Sequence, residues 1–251
     1  MELLQFAYFT RRNSAVIGLD VVNEMLAACR TNLREAELQN PWFRSSFVDL
    51  RRGDALALPV ADQSVDVTAQ NCLFNIFHDR DLEQALSEMY RVLKPHGRLI
   101  LSDPVCDSPM PENLKSDERL RALCLTGAIP LDDYVRRITD TGFGTVEVRA
   151  KRPYRVLSPR HYQTDRLIVI ESVEICAIKD PVPADGPCVF TGRSAIYHGD
   201  NDYFDDEKGH FLTRNQPLAV CDKTAAALAS LGRDDIYVSG PSFFYDGGGC
   251  C

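Results

Sequence analysis

Residues 65–77 read VDVTAQNCLFNIF. The pattern predicts a buried strand whose end opens into a turn carrying Asn71 and Cys72, after which a helix begins. Ligands of open α/β sheets sit beyond the carboxyl ends of strands, so a polar residue and a thiol placed there are candidates for chemistry.

Around this stretch the chain alternates strands and helices. Ala15 to Leu19 reads as a short strand ending at Asp20. From Val22 the residues Met25, Leu26, Cys29, Leu33 and Ala36 recur at helical spacing, with Asn40-Pro41 as the stop. Phe47 to Leu50 is a weaker strand leading into Gly53-Asp54 and a loop with Pro59. Beyond Cys72, Leu82, Ala85, Leu86, Met89, Tyr90 and Leu93 share one helical face, and Asp81 and Gln84 stand in capping-box spacing. Lys94-Pro95-His96-Gly97 reads as a helix stop and turn before the strand RLILSD.

A proline-rich link then leads to a helix containing Cys124 and to a second helix from Asp132 to Thr141, stopped by Gly142. Two late strands, Thr145 to Arg149 and Leu167 to Ala177, are expected to pair antiparallel. The order predicts an α/β fold with a mostly parallel sheet and helices on both faces. The composition shifts at KDPVPADGP (179–187), which divides the chain into a core, 1–178, and a small α+β extension, 179–251. In that extension we expect a strand CVFTGRSAIY, an acidic turn over 198–210, a strand FLTRN, a helix from Asp222 to Leu231, a strand near Ile236 to Val238 and the tail YDGGGCC.

A net charge of -8 argues against a nucleic-acid partner, which calls for a basic face. No apolar run approaches the roughly 20 residues that span a bilayer. In MELLQFAYFTRR the apolar block precedes the basic pair, the reverse of a secretory signal, so the expected location is the cytoplasm, away from membranes. In that reducing compartment nine cysteines serve packing, catalysis or soft ions rather than disulfides. Cys29 and Cys176 fit apolar helix and strand patterns and read as core. Cys124 lies among Leu120, Leu123, Leu125 and Ile129 and fits either core or site. Cys250 and Cys251 follow three glycines, a segment too flexible to pack a core. Cys106, Cys188 and Cys221 have no assignment, and the five histidines show no metal-ligand spacing.

The runs GLDVVNEML, GDALALPVADQSVDV, NCLFNIF and YRVLKPHGRLILSD resemble, in order, the motifs of class I methyltransferases that use S-adenosyl-L-methionine. The NC after the fourth strand of that family and a second cysteine in ALCLTGAI resemble the arsenite methyltransferases, and the ending FYDGGGCC is similar to the extension of the type associated with arsenosugar synthesis. The resemblance implies a Rossmann-like sheet and trivalent arsenic held by the thiols of Cys72 and Cys124. It further implies cofactor contacts at Asp20, Val21, Asp54, Ala55 and Asn71 and a small thiol or thioredoxin-type reductant as partner. For the tethered pair Cys250 and Cys251 two readings stay open, capture of arsenic that is passed inward and a redox-labile end. The family's first strand, its glycine-rich turn and an upstream cysteine have no counterpart before Asp20, so the core is expected to be N-terminally truncated, with MELLQFAYFTRR as the helix that follows the missing loop. Two other readings stay open: a methyltransferase acting on another small molecule, and a cofactor-free, thiol-based arsenic-binding protein.

Overall fold

The computed structural model describes residues 2–245 and 247. The chain divides into two compact units, Met1–Ala61 and Asp62–Cys251.

The first unit holds α1 (Glu2–Thr10), β1 (Val16–Asp20), α2 (Asn23–Gln39) and β2 (Val48–Arg52). α2 is the crossover that lets β1 and β2 pair in parallel, with Asp20 opposite Arg52. Asp20 and Gly53-Asp54 therefore stand at the same, carboxyl end of this pair. Ala7, Val16, Leu33, Ala36, Phe43 and Val48 form its core, and Cys29 packs against them as expected. Met25, placed on the buried face by spacing, is 58% exposed. A sheet of two strands offers a face too narrow for every apolar residue of a helix this long.

The second unit begins with β3 (Val65–Asn71), a 3-10 turn at Phe74–Ile76, α3 (Asp79–Val92) and β4 (Leu93–Cys106). It continues through α4 (Glu112–Lys115), α5 (Glu118–Ala122), β5 (Ile129–Pro130), α6 (Leu131–Asp140), β6 (Thr145–Leu157), α7 (Pro159–Tyr162), β7 (Ile168–Ile178) and β8 (Cys188–Phe190). The strand order is β3-β4-β7-β6-β8, with β5 beside β4. β3 and β4 are parallel, joined through α3, whereas β7 runs antiparallel to both β4 and β6. The sheet is thus mixed rather than mostly parallel, because the short connection through α7 returns the chain beside itself.

β4 is longer at both ends than the sequence suggests. Lys94 to Gly97 do not form a simple turn: Leu93 already pairs with Val65, and His96, at φ 62°, sits where the register shifts. At the other end the proline-rich link is still strand, because pairing with β7 runs through Cys106 and Ile170. The expected capping box does not mark the start of α3, which lies one turn earlier, at Asp79, behind His78. Asp79 and Asp81 instead place negative charge at its N-terminus. Lys179 closes the other end, its Nζ donating to the carbonyls of Tyr90 (2.6 Å) and Leu93 (2.8 Å).

Beyond β8 come β9 (Arg193–Tyr197), β10 (Tyr203–Asp205), β11 (Phe211–Thr213), β12 (Pro217–Val220), α8 (Asp222–Ser230) and β13 (Ile236–Val238). The run CVFTGRSAIY is two strands broken at Gly192, φ 79°. The first, β8, joins β6 in the large sheet, and the second, β9, is the middle of a sheet ordered β12-β9-β13. The acidic stretch expected to be a turn contains β10, which pairs with β11 as a hairpin. Asp206 holds its loop, accepting from the backbone of Lys208 (2.8 Å) and His210 (3.0 Å).

Leu99 lies at the middle of β4, between β3 and β7, with none of its surface exposed. Leu99→Ala is expected to destabilise the second unit by about 2–5 kcal/mol, read from the urea midpoint at unchanged slope.

Candidate active site

The site grows from the end of β3. Asn71 is level with Ser102 on β4, and the Cys72 amide continues the ladder to the Ser102 carbonyl at 2.9 Å. Cys72 then turns the chain with φ 55°, a left-handed conformation that costs a non-glycine residue roughly 1–2 kcal/mol. Side chains fix that turn. Gln70 Oε1 accepts from the Leu73 amide at 2.9 Å, while Gln70 Nε2 donates to Asp103 Oδ2. The Tyr134 hydroxyl, fully buried on α6, donates to the same Oδ2 at 2.6 Å.

The second thiol arrives from α5. Asp117 caps that helix, accepting from the amides of Arg119 and Leu120, each at 3.0 Å. The helix ends at Ala122, so Cys124 lies just beyond it rather than within it as expected. It too is left-handed, φ 57°, with its amide on the Arg121 carbonyl at 2.8 Å. Buried Arg121 ties this loop down, donating to the carbonyls of Phe77 (3.2 Å) and Lys115 (3.0 Å). Gly127 lies against Asn75, where a Cβ would stand 1.7 Å from the Asn75 carbonyl oxygen, and Asn75 itself donates to the Pro104 carbonyl at 2.7 Å. Two turns distant in sequence are thereby clamped together, and Cys124 Sγ donates to the Cys72 carbonyl at 3.0 Å.

Burial pushes the Cys72 thiol up to about 11, and nearby Cys124 and Asp103 add to the effect. Burial also raises Cys124, with its contact to Cys72 opposing and Asp103 reinforcing the shift. Both thiols are neutral at physiological pH. Asp103, 1% exposed, is raised to about 7 by burial, against which the bonds from Tyr134 and Gln70 favour the charged form. Its Oδ1 is buried with no partner.

The remaining expected site residues are placed as follows. Asn71 is exposed at the last position of β3. In the first unit, Asp20 Oδ1 accepts from the Val22 amide at 2.8 Å, with Val21 exposed beside it. Asp54 Oδ1 accepts from the Leu56 amide at 2.9 Å, with Ala55 next in the turn. Both carboxylates thus shape turns at the carboxyl end of the parallel pair, each through its Oδ1. Cys250 and Cys251 lie outside the described residues. Gln70, Asp103, Tyr134, Asn75, Arg121 and Gly127 are not singled out by the sequence, since β3 (VDVTAQN) carries Asp66, Thr68 and Asn71 as well and no local pattern sets Gln70 apart. Among the described residues no group of three or more His, Cys, Asp and Glu is placed to hold a metal ion, and no helix is long and apolar enough to cross a membrane.

With this geometry established, the chain can be set beside known proteins. Residues 3–101 match the family described as Methyltransferase domain, and residues 184–237 match a domain of unknown function, DUF8838. The structure of an arsenic(III) S-adenosylmethionine methyltransferase from Chlamydomonas reinhardtii superposes with a TM-score of 0.58 at 22% identity, covering 92% of this chain and 79% of that one. That likeness shows the fold, a Rossmann-like class I methyltransferase fold, and residues 3–101 are similar to the methyltransferase domain.

More particularly, parts of the chain are similar to curated arsenite methyltransferases. It is 34% identical over 136 residues to the arsenite methyltransferase of Halobacterium salinarum, covering 54% of this chain and 32% of that protein. It is 29% identical over 230 residues to that of Aquipseudomonas alcaligenes, covering 84% and 62%. The chain therefore spans between about a third and two thirds of the length of these curated relatives.

Two outcomes are expected. Gly127→Ala forces the Cys124 loop away from Asn75 and should make alkylation of Cys72 and Cys124 faster without unfolding the sheet, as read by peptide mass spectrometry. Because the folded pKa of Asp103, about 7, exceeds the 3.8 of a free aspartate, its contribution to stability is complete below about pH 4 and is lost as pH rises through 7. Asp103→Asn should flatten that decline in urea midpoints measured across this range.

Proposed function

We propose that the chain transfers a methyl group from S-adenosyl-L-methionine to trivalent arsenic held by the thiols of Cys72 and Cys124, in the cytoplasm, as part of arsenic detoxification or arsenosugar synthesis. One observation carries the reading: Cys124 Sγ meets the Cys72 carbonyl at 3.0 Å across a sequence separation of 52 residues, at the carboxyl end of a strand in a methyltransferase fold. A pair of half-buried thiols brought together by two left-handed turns matches a thiophilic substrate.

The exchange balances without redox chemistry or a general base. As each thiol attacks arsenous acid, one As–OH bond and one S–H bond break, an As–S bond forms, and the proton leaves with hydroxide as water. Two such steps leave arsenic on two sulfurs with one hydroxyl and its lone pair. Neutral thiols suit this exchange, because their protons need not be released to solvent. A divalent cation, by contrast, must displace both protons from groups whose pKa is raised.

S-adenosyl-L-methionine, when bound, supplies an electrophilic methyl group. Asp20 with Val21 would receive its ribose hydroxyls and Asp54 with Ala55 its adenine amine. Asn71 would line the transfer site. Cys72 and Cys124 would hold the arsenic on two sulfurs with its lone pair left free to accept the methyl group, a contribution of positioning rather than of proton transfer. Methylation at the lone pair oxidises arsenic formally by two electrons, so a small thiol or thioredoxin-type reductant would return it to the trivalent state. Cys250 and Cys251 would capture arsenic from solution and pass it to the inner pair.

Replacing Cys72 with serine in the full-length protein should lower arsenite methylation by at least about a hundredfold while leaving S-adenosylmethionine binding intact; unchanged turnover would refute the reading. Arsenite affinity, by calorimetry, should stay nearly flat between about pH 6 and 8. Cadmium affinity for the same pair should rise by up to about a hundredfold per pH unit, because two protons are released.

A further inference from the structure

We propose that Gln70, Asp103 and Tyr134 form a positioning device for the thiol pair, a hydrogen-bonded chain from α6 through β4 to the turn after β3 that aims Cys72 at the substrate held with Cys124. The inference rests on the arsenic-binding reading above. None of the three residues is one of the thiol donors.

The geometry is continuous. The Tyr134 hydroxyl reaches Asp103 Oδ2 at 2.6 Å, Gln70 Nε2 donates to the same oxygen, and Gln70 Oε1 takes the Leu73 amide at 2.9 Å. Both ends of the Gln70 amide are therefore committed, one to the carboxylate and one to the backbone immediately after Cys72. The Cys72 amide is held separately by Ser102 at 2.9 Å. Bonds on the two successive amides, Cys72 and Leu73, determine the left-handed φ of 55° at Cys72 and hence the direction of its Cβ.

Stability alone does not account for this arrangement. Asp103 is 1% exposed, its Oδ2 accepts two hydrogen bonds, and its Oδ1 is buried with none. A buried carboxyl with an unpaired oxygen is poorer for the fold than an apolar residue of the same size, so its placement beside two thiols points to the site. Asp103 acts on both thiols electrostatically, and Tyr134 in turn feels Cys72. The carboxyl that anchors the Cys72 turn therefore also lies close enough to the thiol pair to reinforce the effect of burial on it.

The test uses the full chain and arsenite itself, scoring Cys72 and Cys124 separately by alkylation and peptide mass spectrometry, with melting temperature measured alongside. In the parent, one equivalent of arsenite should protect both cysteines together. In Gln70→Leu the concentration needed for joint protection should rise at least about tenfold, and in Tyr134→Phe about threefold, with melting shifted by only a few degrees. Should Gln70→Leu fail to fold, Tyr134→Phe, which keeps its buried ring, decides the matter. Parent-like protection in the folded variants would overturn the positioning role and leave the arsenic reading standing. Absence of joint protection in the parent would overturn both.

Discussion

A carboxylate shut away from water has to be held by its neighbours, and Asp103 is held from two sides, by a hydroxyl on α6 and an amide on β3. Those bonds link the helix after the second cysteine, the longest strand and the turn of the first cysteine. Were Asp103 an alanine, Tyr134 and Gln70 would each be left with a buried polar group unpaired, at about 1–3 kcal/mol apiece, and the turn at Cys72 would lose its anchor. The site therefore depends on a polar network whose members are distant in sequence and invisible to any local pattern.

Burial, reinforced by one member of this network, sets the chemical character of the pair. Thiols at a helix N-terminus or beside a cation are deprotonated and react with electrophiles indiscriminately. Here burial and a neighbouring carboxyl act in the opposite direction, and both sulfurs stay protonated. Such thiols are slow toward alkylating agents and poor partners for metal cations at neutral pH. Arsenous acid removes each thiol proton on its own hydroxide, so the raised pKa presents it with no comparable barrier.

Much of the architecture was legible because it follows from period and punctuation. The helical spacing of Leu82, Leu86 and Met89, the stop at Gly142 and the strand at Ile236 to Val238 all appear where the pattern placed them. The failures share a cause, tertiary pairing overriding local signals. Lys94 to Gly97 looks like a turn but is drawn into β4 by β3, and Pro104 to Cys106 looks like a link but is held in strand by β7. The hairpin of β10 and β11 was hidden because Tyr203, Phe204 and Asp205 are flanked by acidic residues that outweigh them. At the site, Cys72 was readable from its place at a strand end. Cys124 was not separable from core, because the residues that bring it to Cys72 (Arg121, Gly127 and Asn75) do so through contacts to backbone that leave no spacing signature.

The central claim is that Cys72 and Cys124 together bind trivalent arsenic, and X-ray absorption at the arsenic edge tests it most directly. The sample is the chain with Cys250 and Cys251 replaced by serine, loaded with one equivalent of arsenite. The account predicts two sulfur neighbours and one oxygen, with the sulfur count falling to one or none when Cys72 is also replaced by serine. An all-oxygen shell, or a sulfur shell unchanged by that replacement, would contradict it.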